Sequence, residues 1–330
     1  WNNLATEADF EQGESTVSFE GSIAQTLNIS SGFERFYILR VNKSADVLSP
    51  LSDIHVENTV IFSNGIINNN FGANFLFETN AVANSPSNAS HIDGPIQKET
   101  TISFTQNFTF PTGDNGRLGL IGVETRPGVL DNDIFTAEYF VLASPNPTQL
   151  LAPIDHVSFI EYWTLDEADG NGDSDAKVTL HWGPHSDVVV VTDLRVGHYK
   201  ASNLWEMEGD IPNIIHTGTI SSGTITSDWV TTYSPFTLAD INFNGGSLPL
   251  DLLAFDAIKV DNSAKIYWSV ANEMIGDFYE LEYSIDASSF ETIFSKMASQ
   301  NQSTAHYDYL HNFPTLGDNY YRLKQPDAAG

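Results

Sequence analysis

The chain has 330 residues, with 14 Lys and Arg against 43 Asp and Glu, so its formal net charge at pH 7 is −29. Nucleic-acid binding and adsorption to an anionic membrane are excluded as main functions, because both need clustered basic residues. The sequence has no Cys, which excludes disulfides and thiolate chemistry. It also has no run of about 18 apolar residues that would span a bilayer. Since 41% of the residues are hydrophobic, the chain can bury a core large enough for roughly two or three domains.

The apolar segments are short, rich in Val, Ile, Thr, Phe and Tyr, and interrupted by clusters of Asn, Gly, Asp, Ser and Pro. Period-two alternation is clear in residues 16–19, 135–141 and 177–182. No convincing helical stripe is present. These patterns predict an all-β protein.

Residues 1–90 are rich in Asn, and their β runs recur at intervals of about 20 residues. Asn64-Gly65 and the tract Asn68-Asn69-Asn70 separate such runs. Asn tolerates the left-handed conformation at a solenoid corner. We therefore predict a short β-helix-like segment here; the alternative is half of a β-sandwich with Asn-rich turns.

Residues 91–241 contain enough predicted strands for a complete β-sandwich, with Trp163 and Trp182 as core residues. The stretch 242–247, Asn-Phe-Asn-Gly-Gly-Ser, predicts a flexible linker. Residues 248–330 then predict six strands, with Trp268 on the second strand. This layout is typical of a fibronectin type III-like sandwich that lacks its last strand. Such a domain would leave an open edge to which a partner could donate a strand.

Motifs of the last segment also carry a family resemblance. They are Leu-Pro-Leu-Asp-Leu-Leu-Ala-Phe at 248–255, Ile-Tyr-Trp-Ser-Val-Ala-Asn-Glu at 266–273, Asp-Phe-Tyr-Glu-Leu-Glu at 277–282 and Asn-Tyr-Tyr-Arg-Leu-Lys-Gln at 319–325. With these motifs the segment closely resembles the module that precedes the sorting domain in Bacteroidota proteins exported by type IX secretion.

Earlier motifs resemble the same family of large surface proteins. They are His-Ile-Asp-Gly-Pro-Ile-Gln-Lys at 91–98, Phe-Thr-Phe-Pro-Thr-Gly at 108–113, and shorter matches at 135–140, 161–165, 178–182, 192–196 and 234–238. The resemblance implies recognition by the type IX secretion machinery and display or release at the cell surface, in adhesin-like proteins. The family pattern also expects a final strand and a C-terminal sorting domain, and this sequence contains neither.

The most distinctive local feature is the acidic stretch 166–175, Asp-Glu-Ala-Asp-Gly-Asn-Gly-Asp-Ser-Asp. Oxygen-rich, Gly-containing loops suit Ca²⁺, which takes 6–8 oxygen ligands. The candidate ligands are Asp166, Asp169, Asn171, Asp173 and Asp175. Their spacing matches an EF-hand loop only in part, because Leu180 occupies the position of the last Glu. The alternative is a solvated acidic hairpin. A second acidic pair, Asp114-Asn115-Gly116 and 131–133, is explained equally well by a type I′ turn.

Signals for catalysis are sparse. The sequence has neither His-Glu-x-x-His nor Gly-x-Ser-x-Gly, and no Gly-rich loop precedes a helix. His181, His185 and His198 are close in sequence, but strand alternation predicts that they lie on solvent faces or strand edges rather than at a metal. A hydrolase with scattered carboxylates is the weakest hypothesis, since the separation of acids in space is what defines such a site.

Aromatic residues suggest a different site. Tyr199, Trp205, Trp229 and Tyr233 could form a platform on which sugar rings stack, and we expect Trp205 to be exposed because its neighbours are polar. Trp205 and Tyr199 are thus the candidate ligand-binding residues. The sequence predicts a non-enzymatic, extracellular or cell-surface segment, either a stalk or an adhesin-like region with an acidic, calcium-binding exterior. The alternative is a carbohydrate-binding accessory region that recognises surface polysaccharide.

Overall fold

The computed structural model describes residues 2–3, 13–30, 32–101, 103–126, 133–167, 175–186, 188–209, 215–241, 251–271, 278–297 and 304–324. The chain forms two compact units, Trp1–Asn242 and Phe243–Gly330. The predicted segments 1–90 and 91–241 both fall in the first unit, and 248–330 falls in the second. The predicted linker 242–247 lies outside the described residues.

The first unit begins as a coil of parallel strands. These are β1 (Asn2–Asn3), β2 (Thr16–Gly21), β3 (Gln25–Ile29), β4 (Phe33–Pro50), β5 (Asp53–Asn68), β6 (Phe75–Phe77), β7 (Val82–Asn84), β8 (Ile92–Asp93) and β9 (Ile96–Glu99). Thr16 pairs with Ile38, and Ile54 pairs with Phe75, both in parallel register. Partners are roughly 20 to 25 residues apart, which is the length of one solenoid turn. The predicted solenoid-like segment is confirmed.

Asn side chains link successive turns of this coil. The Asn70 amide donates to Asp93 Oδ1 at 2.7 Å, and the Asn74 amide donates to Asp53 Oδ2 at 3.0 Å. Asn69 is fully buried, and its amide donates to the backbone oxygens of Ala73 and Pro95. The Asn-rich composition therefore serves the corners of the solenoid, where backbone carbonyl groups need donors.

The antiparallel part of the first unit contains the next strands. These are β10 (Gln106–Phe110), β11 (Thr112–Asp114), β12 (Arg117–Leu118), β13 (Ile121–Thr125), β14 (Ile134–Phe140), β15 (His156–Val157), β16 (Tyr162–Glu167), β17 (Ala176–Trp182), β18 (Leu194–Tyr199), β19 (Trp205–Glu208), β20 (Ile215–Thr219), β21 (Ser222–Val230) and β22 (Phe236–Asp240). Strand β9 pairs antiparallel with β14, and the sheet continues through β16, β22, β18 and β19. A second sheet has the order β10-β13-β17-β21-β20.

One hydrophobic cluster joins the coil to both of these sheets. The rings of Phe77 in the coil and Phe108 in the second sheet are 5.1 Å apart. Trp163 and Trp182 are 0% and 4% exposed, so their predicted place in the core is confirmed. In the described part of the chain, the only helix is a single 3-10 turn at Val191–Asp193, and nothing there could cross a bilayer as a helix. The predicted all-β class is confirmed.

The second unit has two three-stranded antiparallel sheets. Its strands are β23 (Asp251–Val260), β24 (Ser263–Ala271), β25 (Phe278–Ser284), β26 (Glu291–Met297), β27 (Thr304–Asn312) and β28 (Tyr320–Lys324). The orders are β23-β24-β27 and β26-β25-β28. Trp268 and Tyr307 of the first sheet pack with Tyr279 of the second, with ring centroids 5.3–6.1 Å apart. Within the described residues, β28 has a strand partner on one side.

A buried lysine fastens one corner of the coil. Lys98 on β9 is 2% exposed, and its Nζ donates to the backbone oxygens of Glu78, Thr79 and Ala81 at 2.6–3.1 Å. Burial lowers the pKa of Lys98 to about 8, although the charge of Glu99 opposes this shift. The ammonium group holds the turn between β6 and β7 by three charge-assisted hydrogen bonds.

We predict that Lys98→Met lowers the free energy of unfolding at pH 7 by about 2 kcal/mol, because three buried carbonyl groups lose their donor. Between pH 8 and the ordinary Lys pKa of about 10.4, the unfolded wild-type chain binds more protons than the folded chain. The stability advantage of wild type over the variant should therefore grow as the pH rises from 8 to 10. Urea unfolding at a series of pH values measures both effects.

Lys177→Met is the matched control. Its Nζ is 3.9 Å from Glu124 Oε1 in a partly exposed ion pair, which contributes at most about 1 kcal/mol. Equal stability of Lys98→Met and wild type would show that the three hydrogen bonds do not hold the corner.

Candidate functional site

An open depression of about 590 Å³ lies between the β18–β19 turn and the link from β21 to β22. The residues that line it include His198, Tyr199, Lys200, Glu206, Tyr233 and Ser234. The turn is closed by hydrogen bonds between the backbones of Lys200, Asn203 and Leu204, and Asn203 has a φ of +61°. Asn accepts this left-handed conformation more readily than most residues, which lets the chain reverse here. The turn and the link thus form two walls.

His198 lies at the base of the first wall and is 1% exposed. Its ring stacks on Phe236 with centroids 4.2 Å apart and an angle of 23° between the planes. Nδ1 is 2.7 Å from Glu208 Oε1. An ionised carboxylate only accepts hydrogen bonds, so this contact assigns the proton to Nδ1. The expectation that His198 lies on a solvent face or strand edge is wrong, because β22 covers it.

Lys200 and two glutamates complete the charged part of the site. Lys200 Nζ lies 2.8 Å from Glu208 Oε1 and 3.5 Å from Glu206 Oε2. Burial works against the charge on Lys200, but the contacts with Glu208 and Glu206 outweigh it and raise the pKa of Lys200. Burial likewise works against the charge on Glu208, but His198 and Lys200 outweigh it and lower the pKa of Glu208. The charges in this wall compensate one another.

The two predicted ligand-binding residues have different places. Tyr199 lines the depression, and its hydroxyl accepts a hydrogen bond from the Asn146 amide at 3.0 Å. Trp205 is 0% exposed and lies behind Tyr199, with ring centroids 5.3 Å apart. The expectation that Trp205 is exposed is wrong, because residues 150–157 and β22 cover the strand face that carries it. Trp205 supports Tyr199 instead.

The second wall contains Tyr233 and Ser234. The ring of Tyr233 meets Phe135 edge to face at 5.4 Å. Burial raises the pKa of Tyr233, and the charges of Glu167 and Asp133 add to this effect. Burial also raises the pKa of Asp166, although a hydrogen bond from Ser234 opposes the shift. The depression therefore adjoins the beginning of the acidic stretch.

Of the predicted calcium ligands, Asp169, Asn171 and Asp173 lie outside the described residues. Asp166 is exposed at the end of β16, and Asp175 forms an ion pair with Arg126. Among the residues that the structure describes, no three His, Asp or Glu side chains form a group able to hold a metal ion. Strands β16 and β17 belong to different sheets, so the stretch between them crosses from one sheet to the other and is not a hairpin.

The second acidic feature is a turn. Asn115 and Gly116 have φ values of +50° and +73° between the paired residues Asp114 and Arg117. Positive φ at both central residues defines a type I′ turn, so this prediction is confirmed. Asp114 Oδ2 also accepts a hydrogen bond from the Val141 backbone at 2.8 Å.

A buried polar cluster was missed by the sequence analysis. Glu161 is 0% exposed, and its Oε2 accepts a hydrogen bond from the Tyr139 hydroxyl at 2.6 Å. His185 Nε2 lies 3.5 Å from the same oxygen. Burial raises the pKa of Tyr139, and the charge of Glu161 adds to the shift. No local pattern marks these residues, since three separate segments bring them together.

Comparisons with known proteins give no match of the chain to a protein-family model, to a curated protein or to a solved structure.

We predict that Glu208→Gln lowers the free energy of unfolding at pH 7 by about 1–2 kcal/mol, because His198 and Lys200 lose a charged partner. The folded-state pKa of Glu208 lies below the ordinary value of about 4.3. Its contribution to stability is therefore complete above that value and is lost as the pH falls through the folded-state pKa. Urea unfolding at pH 7 and at pH 3.5 should show a difference from wild type that shrinks in acid.

Glu206→Gln serves as the control, since Glu206 is 3.5 Å from Lys200 and does not contact Nδ1 of His198. Its loss of stability should be the smaller one. A larger loss for Glu206→Gln than for Glu208→Gln would contradict the assigned order of the two carboxylates.

Proposed function

We propose that the chain is a non-enzymatic segment of a secreted or cell-surface protein, in which it acts as a stalk or an adhesin-like region. One observation carries this proposal. A single hydrophobic cluster extends from Phe19 in the coil to Leu238 in β22, so the solenoid and the antiparallel sheets are packed as one body. A pull on the coil would load the core and sheets together, which suits an element that bears force between a cell and a surface.

Export by type IX secretion and an extracellular location are part of this proposal. Their support is the motif resemblance described above, together with the net charge of −29, which keeps an exposed protein soluble. Strand β28 adds a proposed contact. Within the described residues it is paired only with β25, so an extended segment of a partner would find free backbone groups there.

A carbohydrate-binding accessory region of a secreted, polysaccharide-acting protein is the second candidate function. The observation that favours it is the depression between Tyr199 and Tyr233, where two aromatic rings flank hydroxyl and charged side chains. Apolar ring faces combined with a few fixed polar groups are typical of small-ligand sites.

Cell-surface exposure is directly testable in cells that produce the full-length protein. We expect proteinase K, added to intact cells, to remove the epitopes of residues 1–330 while a cytosolic marker remains whole. Cells that lack the protein should attach to a solid support severalfold less well, and the restored gene should reverse the defect. Protection of the epitopes until the cells are lysed would overturn the proposed location.

Calcium binding by the acidic stretch is a separate prediction. After chelator treatment, addition of millimolar Ca²⁺ should raise the thermal unfolding midpoint of the wild-type chain by about 2–4 °C, because the ion binds only the folded state. The Asp169→Ala/Asp173→Ala variant should show no rise. An Asp308→Ala/Asp318→Ala variant, altered at exposed acids of the second unit, should respond as wild type does. If all three proteins respond alike, the ion does not bind at residues 166–175.

A further inference from the structure

We propose that the depression binds a neutral sugar residue of a polysaccharide, and that Nε2 of His198 accepts a hydrogen bond from a sugar hydroxyl. This inference rests on the second candidate function and is independent of the stalk role. It assigns the ligand class and the binding atoms from contacts around His198.

The first step is an unpaired acceptor. Nδ1 of His198 carries the proton that Glu208 accepts, so the neutral ring presents a lone pair at Nε2. Nε2 is buried and has no hydrogen-bond partner among the described residues. Since stacking on Phe236 and the contact with Glu208 hold the ring, the acceptor cannot turn elsewhere to find a donor. A ligand hydroxyl would supply one.

The second step is charge. Both signs line the depression, but each is already compensated: Glu206 accepts from Ser202 through Oε1 and contacts Lys200 through Oε2. Neither an anionic nor a cationic ligand would find an unpaired opposite charge there. The net charge of −29 further repels polyuronates and other anions. A neutral ligand rich in hydroxyl groups fits this lining.

The third step is the aromatic walls. Tyr199 is held from behind by Trp205 and at its hydroxyl by Asn146, so its ring is fixed before a ligand arrives. Tyr233 faces the depression from the other wall, packed against Phe135. Rings that are already ordered lose little conformational entropy on binding, which favours stacking against a pyranose ring.

Affinity electrophoresis in native gels tests the proposal with laminarin and galactomannan as neutral polysaccharides and alginate as the anionic one. We expect at least one neutral polysaccharide to retard the wild-type chain, and alginate to leave it unretarded. His198→Phe keeps a ring on Phe236 but removes the acceptor, and it should weaken binding at least about fivefold, as for one lost hydrogen bond. Tyr199→Ala should weaken binding about tenfold.

His306→Phe and Tyr320→Ala are the controls, because both change exposed residues of the second unit and should bind as wild type does. Thermal unfolding checks the fold of each variant, and if His198→Phe is unfolded, Tyr199→Ala decides the result. Neutral binding that neither variant weakens would overturn this site and leave the carbohydrate function standing. Absence of neutral binding, or equal retardation by alginate, would overturn the site and the second candidate function together.

Discussion

The parallel pairing of β4 with β5 is the constraint on which the first unit depends. These are the longest strands of the described chain, and their register places Leu39 beside Val60 and Leu48 beside Ile67, all fully buried. A parallel coil leaves strand edges that need partners. At β9 the coil meets this need by pairing antiparallel with β14, so the solenoid ends in the sheet that carries β16, β22 and β18.

Buried polar groups fix the details of this arrangement. Lys98 serves three backbone carbonyl groups at one corner, and Lys43, also buried, donates to the Ile23 carbonyl and to Gln25 at another. A buried charge is costly unless every partner is in place, so these contacts favour one register over its alternatives. Close packing adds to this: a Cβ on Gly119 would lie 2.2 Å from the Tyr139 ring, so only glycine fits there.

The depression is a consequence of the same sheet. Strand β22 lies between β16 and β18, and its Phe236 supports the ring of His198. Trp205 reaches back to the Pro145 carbonyl, which fastens the β18–β19 turn to a segment far away in sequence. The stalk and the ligand site therefore draw on one framework: the core that would bear force also positions Tyr199 and His198.

Local patterns in the sequence were sufficient for the all-β class, the solenoid-like first segment, the type I′ turn at Asn115-Gly116 and the burial of Trp163 and Trp182. Each depends on alternation or turn chemistry within a few residues, which the sequence displays directly. The burial of Trp205 and His198, the cluster around Glu161 and the depression were decided by the tertiary structure. Their partners lie 10 to 60 residues away, as with Trp205 and Pro145 or His198 and Glu208. Strand alternation tells which residues share a face, but which element covers that face is set by the order in which the strands pair.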